Sequence, residues 1–256
     1  MKAMAFGFFA VLLFINPAIN AQRVRVAERY LETDNKNISD DFHFVSKLVD
    51  VSGFTAIAKL EGDCHNTSRE SLADLFSDFK ATANDFGANC FRVDTSYTDT
   101  SHLTTAIVTV FYLNPNQLEM LKAGVPENMI YVVGSLNHEK KGKRFKFNGE
   151  KLTLFPLEYL AYQNRAGEEV RISVGGFTGA TRWVMGKEGR GPIWFSLSGF
   201  GVGGGAMMPP GQIGISFNTG RIDEIPLDLG QFLISVLKQK PASEVSNLAT
   251  EKQNDD

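Results

Sequence analysis

The two cysteines come first, because thiols can bind metals, form disulfides or act as nucleophiles. Cys64 and Cys90 are the only cysteines among 256 residues, and Cys64 stands directly before His65. A structural zinc site needs about four ligands at characteristic spacing. The chain has three further histidines, and none completes such a spacing with this pair. The sequence therefore predicts no metal and no cofactor, while Cys64 and His65 define an alternative hypothesis of a thiol- or metal-binding protein.

Short catalytic motifs give no assignment either. Residues 201–206 read G-x-G-x-x-A, but Pro209 and Pro210 follow and prevent the helix that a dinucleotide site requires. The chain contains no G-x-S-x-G elbow, and no local pattern selects a Ser-His-Asp triad. We assign no catalytic residue; an enzyme whose groups meet only in space stays open as a further alternative.

Aromatic residues near a long uncharged stretch are the candidates for binding. No charged residue occurs from Gly191 to Gly220, and glycines interrupt the stretch repeatedly. Its aromatic side chains either form the core of a β-rich domain or present a face to a protein, a glycan or another envelope component. The candidate partner-binding residues are Trp183, Trp194, Phe195 and Phe200.

The charge of the chain indicates no particular class of partner. The formal net charge is −3, and basic residues cluster only between Lys140 and Arg144. Nothing in the neighbouring sequence extends this cluster into a stripe, so it is interpreted as a solvated loop rather than a phosphate-binding patch, and no nucleic-acid partner is predicted.

The elements that position the thiols are predicted from hydrophobic periodicity. Gly53–Leu60 alternates as a strand, residues 61–66 form a loop, and Thr67 with Glu70 has the spacing of a capping box. A helix then runs to Phe86, so Cys64 and Cys90 fall near opposite ends of the sheet and a disulfide is not expected. Cys90 is predicted to be a small buried residue in a strand and Cys64 a free loop thiol. The strand after the helix is expected beside the first one and parallel to it, followed by an antiparallel strand at 104–113.

The second half has a different pattern. Asn114 and Pro115 predict a short helix that ends at Gly124. Beyond it, turns separate short predicted strands, among which Asn148-Gly149 indicates a type I′ hairpin. The strands are predicted at residues 130–136, 144–147, 151–155, 157–162, 169–174, 182–185, 193–197 and 212–217. A closing helix is predicted over 229–240. The fold class is α+β: a small strand-helix-strand-strand domain at 22–113, then a mostly antiparallel β-sandwich or barrel-like domain at 114–240.

Residues 54–113 resemble the YbjQ/RcsF-like family of small bacterial heavy-metal-binding domains. The likeness rests on the strand, the long helix and the sequence Gly87-Ala88-Asn89-Cys90 at the start of the next strand. Cys90 stands where that family usually has a small buried alanine. The resemblance implies a small α/β fold, but the lipid-attachment cysteine, the disulfide set and a metal-ligand pattern are missing, so no site residue is transferred.

The N-terminus predicts export. Lys2, an apolar run over 3–15 and small residues up to Ala21 have the layout of a signal peptide over 1–21, with cleavage before Gln22. The tail at 241–256 is polar and predicted to be disordered. We therefore expect a secreted or periplasmic, non-catalytic binding or envelope-associated protein without a transmembrane span in its mature chain.

Overall fold

The computed structural model describes residues 23–32, 42–175, 179–197 and 220–241, and these contain three helices and fourteen strands. The predicted signal peptide, the strand predicted at 212–217, Phe200 and nearly all of the predicted tail lie outside the described residues. The elements form three sheets, mostly antiparallel and none closed into a barrel, so the α+β fold class is confirmed.

Sheet A holds the strands of the first half in the order β1-β3-β5-β4-β2. Its elements, with the helix that covers it, are β1 (Val24–Arg29), β2 (His43–Phe44), β3 (Thr55–Cys64), α1 (Leu72–Asp85), β4 (Cys90–Thr98) and β5 (Thr104–Tyr112). The expectation that the strands flanking α1 are neighbours is wrong. β5 lies between β3 and β4 and pairs antiparallel with both. The two flanking strands are still parallel to each other, because each is antiparallel to the same central strand.

Strand β3 extends further than the alternation of residues 53–60 predicts. β3 continues through the predicted loop to Cys64, because it is bonded on both sides: Gly62 pairs with Val24 of β1 and with Ala106 of β5. Cys64 is therefore a buried strand residue, and the prediction of a loop thiol is wrong.

Helix α1 also begins later than predicted. Its N-cap is Ser71, which exchanges hydrogen bonds with Asp74 in a capping box. The Glu70 carboxylate instead accepts a hydrogen bond from the backbone N–H of His65 at 2.8 Å, so it is not available to cap at Thr67. The sequence also predicts one apolar stripe on this helix, and most of it is buried against sheet A. Phe86, its last predicted residue, caps the helix and is only half-buried. The buried residues are Leu72, Leu75, Phe76, Phe79 and Ala83.

The second half forms two facing sheets. Sheet B has the order β13-β12-β6-β9-β14 and sheet C the order β11-β10-β7-β8. Their elements, with two helices, are α2 (Pro115–Ala123), β6 (Met129–Val133), β7 (Lys143–Phe147), β8 (Glu150–Leu154), β9 (Glu158–Gln163), β10 (Glu169–Val174), β11 (Thr181–Met185), β12 (Ile193–Ser196), β13 (Asp223–Ile225), α3 (Leu227–Val236) and β14 (Lys238–Gln239). The predicted closing helix thus ends early, because Lys238 and Gln239 pair with β9 instead.

Local turn and cap chemistry matches the sequence. α2 begins at the predicted Asn114 cap and ends at Gly124. Asn148 and Gly149 both have positive φ, at 50° and 94°, as a type I′ turn requires, and they join β7 to β8.

Side-chain alternation along β6 shows how the layers are joined. Tyr131 and Val133 face the core shared with α1, α3 and sheet A, whereas Ile130 and Val132 face sheet C. The first of these clusters crosses the predicted boundary at residues 113–114, so the two halves share a core. On the other face of sheet A, α2 and the segment after β2 cover a small third cluster that includes Cys90.

Candidate functional site

An apolar groove lies where the segment after β2, α2, α3 and the β6–β12 pair of sheet B meet. Its volume is about 650 Å³, within the range of about 300–1,000 Å³ that is typical of small-molecule sites. Its lining is mostly apolar and combines residues from both halves of the chain, including Phe54, Leu121, Tyr131 and Trp194. The groove therefore exists only because the two halves pack together.

Tyr131 and Trp194 form the aromatic floor of the groove. They are directly opposite each other in the parallel β6–β12 pair, and their rings stack at 5.1 Å with an interplanar angle of 11°. Both side chains are buried, and only 2% of Trp194 is exposed to solvent. The Trp194 indole Nε1 is buried without a hydrogen-bond partner among the described residues. An unpaired buried N–H costs about 1–3 kcal/mol, so the floor holds an unused donor.

Gly230 of α3 is what lets Trp194 lie so close to that helix. A Cβ at this position would lie 2.5 Å from the indole Cγ and 2.7 Å from Cδ1. Carbon atoms in contact are ordinarily about 3.5–4.0 Å apart. The indole therefore occupies the volume that any side chain at Gly230 would need.

The rim of the groove exposes large apolar side chains. Leu48 is 96% exposed and Met120 is 78% exposed, and both line the groove. Helix α2 buries none of its residues fully. Apolar side chains gathered around a concave apolar surface are typical of a ligand or partner site.

Asp50 supplies the charge at the groove. Ser52 donates two hydrogen bonds to its carboxylate, from the backbone N–H at 2.9 Å and from the hydroxyl at 3.1 Å. These hydrogen bonds, the backbone one foremost, hold the pKa of Asp50 below its ordinary value, so the group is ionised at neutral pH. It is the only acidic or basic residue among the described residues that line the groove. Electrostatics therefore favours a ligand whose polar end is neutral or positively charged.

The polar groups of the groove can contact a ligand. Burial raises the pKa of Tyr131 above its ordinary value, so its phenol stays neutral near pH 7. The other polar groups of the lining belong to Ser46, Gln117 and Gln231, and Gln117 already donates to the carbonyl of Gly53 at 2.9 Å. This set offers hydrogen bonds and one fixed charge to a ligand.

The two thiols lie apart and are not exposed. Both cysteines are free and buried, Cys64 at the end of β3 and Cys90 at the start of β4. Their strands run in the same direction, so the two residues fall at opposite ends of sheet A, as predicted. Burial raises the pKa of Cys64 to about 11 and that of Cys90 to about 12, which keeps both thiols protonated.

The neighbourhood of Cys64 is hydrogen bonded but holds no metal-ligand set. Its Sγ donates to the side-chain oxygen of Asn66 at 3.4 Å, and the amide of that buried residue donates to the Thr104 hydroxyl at 2.7 Å. Nearby, His102 and His138 stack at 4.4 Å. Within the described ranges, no three His, Cys, Asp or Glu residues are grouped to hold a metal ion.

The candidate aromatic residues do not lie together. Trp194 and Phe195 are buried on opposite sides of sheet B, in different clusters. Because side chains alternate along β12, each of the two residues is buried in a different hydrophobic core. They therefore do not form an open aromatic face, which was one of the two interpretations of the sequence. Trp183 is 57% exposed on the outside of sheet C, and Phe200 lies outside the described residues. Partner binding by any of the four stays a prediction.

Sequence analysis missed the groove residues other than Trp194. Leu48, Met120 and Tyr131 come from three separate segments and carry no shared spacing. Met120 alone gave a local signal of a binding surface, because it is an apolar residue on the polar helix α2.

A comparison with family models, curated proteins and solved structures found no match for this chain. The resemblance of residues 54–113 to the YbjQ/RcsF-like domains stays a prediction. Among the described helices, none is long and apolar enough to cross a membrane.

Proposed function

We propose that this chain is an exported, non-catalytic binding protein that holds an elongated apolar ligand in the groove between α2 and sheet B. The observation that carries the proposal is the groove itself, with its volume of about 650 Å³, stacked aromatic floor and exposed apolar rim. The layout of residues 1–21 supports the exported compartment.

The ligand class follows from the lining. Apolar walls favour an alkyl or aryl body, and burial of such a body contributes about 25 cal/mol per Å² of apolar surface. The Asp50 carboxylate disfavours an anionic head group and favours an amine or a neutral one.

The first experiment measures binding of N-phenyl-1-naphthylamine, an uncharged probe that fluoresces in apolar surroundings. Gly124 lines the groove, has a φ of −86°, and a Cβ there meets only a backbone oxygen at 3.6 Å. Gly124→Leu therefore fills the groove without straining the backbone. Loss of about 60 Å² of ligand burial corresponds to about 1.5 kcal/mol, a roughly tenfold weaker Kd.

Ala81→Leu is the matched control. This alanine is an exposed residue of α1 and does not line the groove. The control variant is expected to bind the probe as the unaltered chain does. Equal binding by Gly124→Leu, or no probe binding at all, would refute the proposal.

The second experiment tests the charge preference. Decylamine is expected to displace the probe at lower concentration than decanoate, because Asp50 attracts the amine and repels the carboxylate. Asp50→Asn removes the charge from an exposed position and is expected to abolish the difference between the two competitors. If decanoate competes better in the unaltered chain, the assigned ligand class is wrong.

A further inference from the structure

The outer face of sheet C is basic. Its strands alternate, so that one set of side chains is buried against sheet B and the other is exposed to solvent. The exposed set includes Arg144, Lys146, Lys151 and Arg171, against the single acid Glu169. Because the whole chain has a net charge of −3, this face concentrates positive charge that the composition does not reveal.

Strand register brings these cations together. Lys146 lies directly opposite Lys151 in the β7–β8 hairpin, an arrangement of like charges that disfavours the fold. None of the ion pairs found in the described residues involves either lysine. Two lysines held side by side, with no ion pair to any described residue, carry a positive potential that an external anion can neutralise.

The segment before β7 carries further charge, with the exposed Glu139 directly before two exposed lysines. Lys140 and Lys141 are exposed, and the chain then enters β7 at Lys143. The sequence interpretation of residues 140–144 as a solvated loop is wrong for Lys143, where β7 begins, whereas Arg144 lies in a strand as the predicted strand at 144–147 requires. The cluster continues across the sheet through β7, β8 and β10, a stripe that only the strand pairing creates.

Apolar side chains stand at the edge of the same face. Trp183 on the edge strand β11 is 57% exposed and Met185 is 39% exposed. The Arg171 guanidinium lies over the Trp183 ring at 4.8 Å, and the two residues are opposite each other in the β10–β11 pair. Tryptophan next to arginine and lysine is typical of the boundary between lipid head groups and acyl chains.

We propose that this face docks onto an anionic phospholipid surface, with the cations on the phosphates and Trp183 and Met185 in the interfacial layer. The charge selects an anionic partner. The exposed tryptophan and methionine at one edge favour a lipid surface over a nucleic acid or a polyanionic glycan, since neither of those offers an apolar layer. The proposal is independent of the groove, which lies on the other side of sheet B.

The test is co-sedimentation of the full chain with phosphatidylglycerol vesicles and with phosphatidylcholine vesicles. Binding is expected to the anionic vesicles, to weaken as salt is raised, and to shift Trp183 fluorescence to shorter wavelength. Lys146→Glu places an acid opposite Lys151, which is a favourable cross-strand pair, so the fold is preserved. It is expected to lower vesicle partitioning by roughly tenfold to thirtyfold.

Lys47→Glu is the matched control, because Lys47 is an exposed lysine in the first half of the chain and the charge change is identical. It is expected to alter partitioning by less than about twofold. All variants share residues 1–21, so any contribution of that apolar segment is common to them.

Equal loss in both variants, equal binding to both vesicle types, or no vesicle binding would each overturn the proposal. Retention on immobilised heparin or DNA at a salt concentration that abolishes vesicle binding would also overturn it, and would assign the face to a soluble polyanion. The probe assay on the groove separates any of these outcomes from a failure of the ligand-binding proposal.

Discussion

The substitution Gly230→Ala tests whether α3 and Trp194 are held in contact. The added methyl carbon would lie 2.5–2.7 Å from the Cγ, Cδ2 and Cδ1 atoms of the indole. These are ring atoms of a buried residue, not the end of a flexible side chain. The indole cannot retreat freely, because the Tyr131 ring stacks on it.

Two opposing effects determine the free energy of unfolding of this variant. Alanine in a helix is more favourable than glycine by about 1 kcal/mol. Overpacking a dense core costs about 1–3 kcal/mol, and the upper end applies because the ring must move by about 1 Å to regain normal contact. We therefore expect a net loss of about 2 kcal/mol.

Urea unfolding followed by circular dichroism measures this loss without relying on either tryptophan. Gly124→Ala is the control. This residue lies at the end of α2, where a Cβ meets only a backbone oxygen at an ordinary contact distance of 3.6 Å, so stability is expected to change by no more than about 0.5 kcal/mol. Trp194→Ala removes all three of the clashing carbon atoms. In that background Gly230→Ala is expected to lose most of its cost, which a double-mutant cycle detects.

The opposite sign would refute this reasoning. If Gly230→Ala raises the free energy of unfolding by about 1 kcal/mol, helix propensity alone decides the outcome. Trp194 would then not be wedged against α3, and the floor of the groove would differ from the one described.

Two further predictions concern the first half of the chain. In urea unfolding, Ser71→Ala is expected to lower the free energy of unfolding by about 1 kcal/mol, whereas Thr67→Ala is expected to change it by less than about 0.5 kcal/mol. A larger loss for Thr67→Ala than for Ser71→Ala would place the helix cap at Thr67. Cys64 and Cys90 are expected to resist Ellman's reagent in the native chain and to react in denaturant, and a fast-reacting native thiol would contradict their burial. Burial raises the pKa of both thiols in the folded state above their ordinary value of 9.0. Their contribution to stability is therefore complete below pH 9.0 and is lost as the pH rises toward about 11 for Cys64 and about 12 for Cys90. A free energy of unfolding that stays constant across this pH range would contradict the raised pKa values.

The groove and the basic face are on different sides of the molecule and use different chemistry. The groove offers apolar walls with one acidic group, and the face offers cations with one exposed indole. Under both proposals together, the chain lies on a lipid surface and holds an apolar molecule from it. The ligand-binding proposal and the lipid-docking proposal are each tested by a separate experiment.

Local features of the fold could be predicted from the sequence. The Asn114-Pro115 start of α2, the Asn148-Gly149 turn, the apolar stripe of α1 and most strands of the second half were predicted correctly. Each depends on residues within a few positions of one another: a cap reaches three residues on, and a type I′ turn needs positive φ at two adjacent residues.

The start of α1 shows where local reasoning fails. Thr67-Glu70 and Ser71-Asp74 have the same capping spacing, so the sequence offers two helix starts. The choice falls to Ser71 because β3, bonded on both sides, extends to Cys64, and Glu70 is occupied by the N–H of His65. Long-range strand pairing therefore decided a local boundary.

The functional surfaces depended on the tertiary structure almost entirely. The sequence alone determined which side chains alternate along each strand, and so which residues could share a face. It could not determine which strands become neighbours: that β5 enters between β3 and β4, that β6 lies beside β12 to stack Tyr131 on Trp194, or that Lys146 and Lys151 meet on one open face. These pairings follow from burying apolar surface contributed by distant segments, and the free energy of that burial belongs to the assembled core rather than to any stretch of sequence.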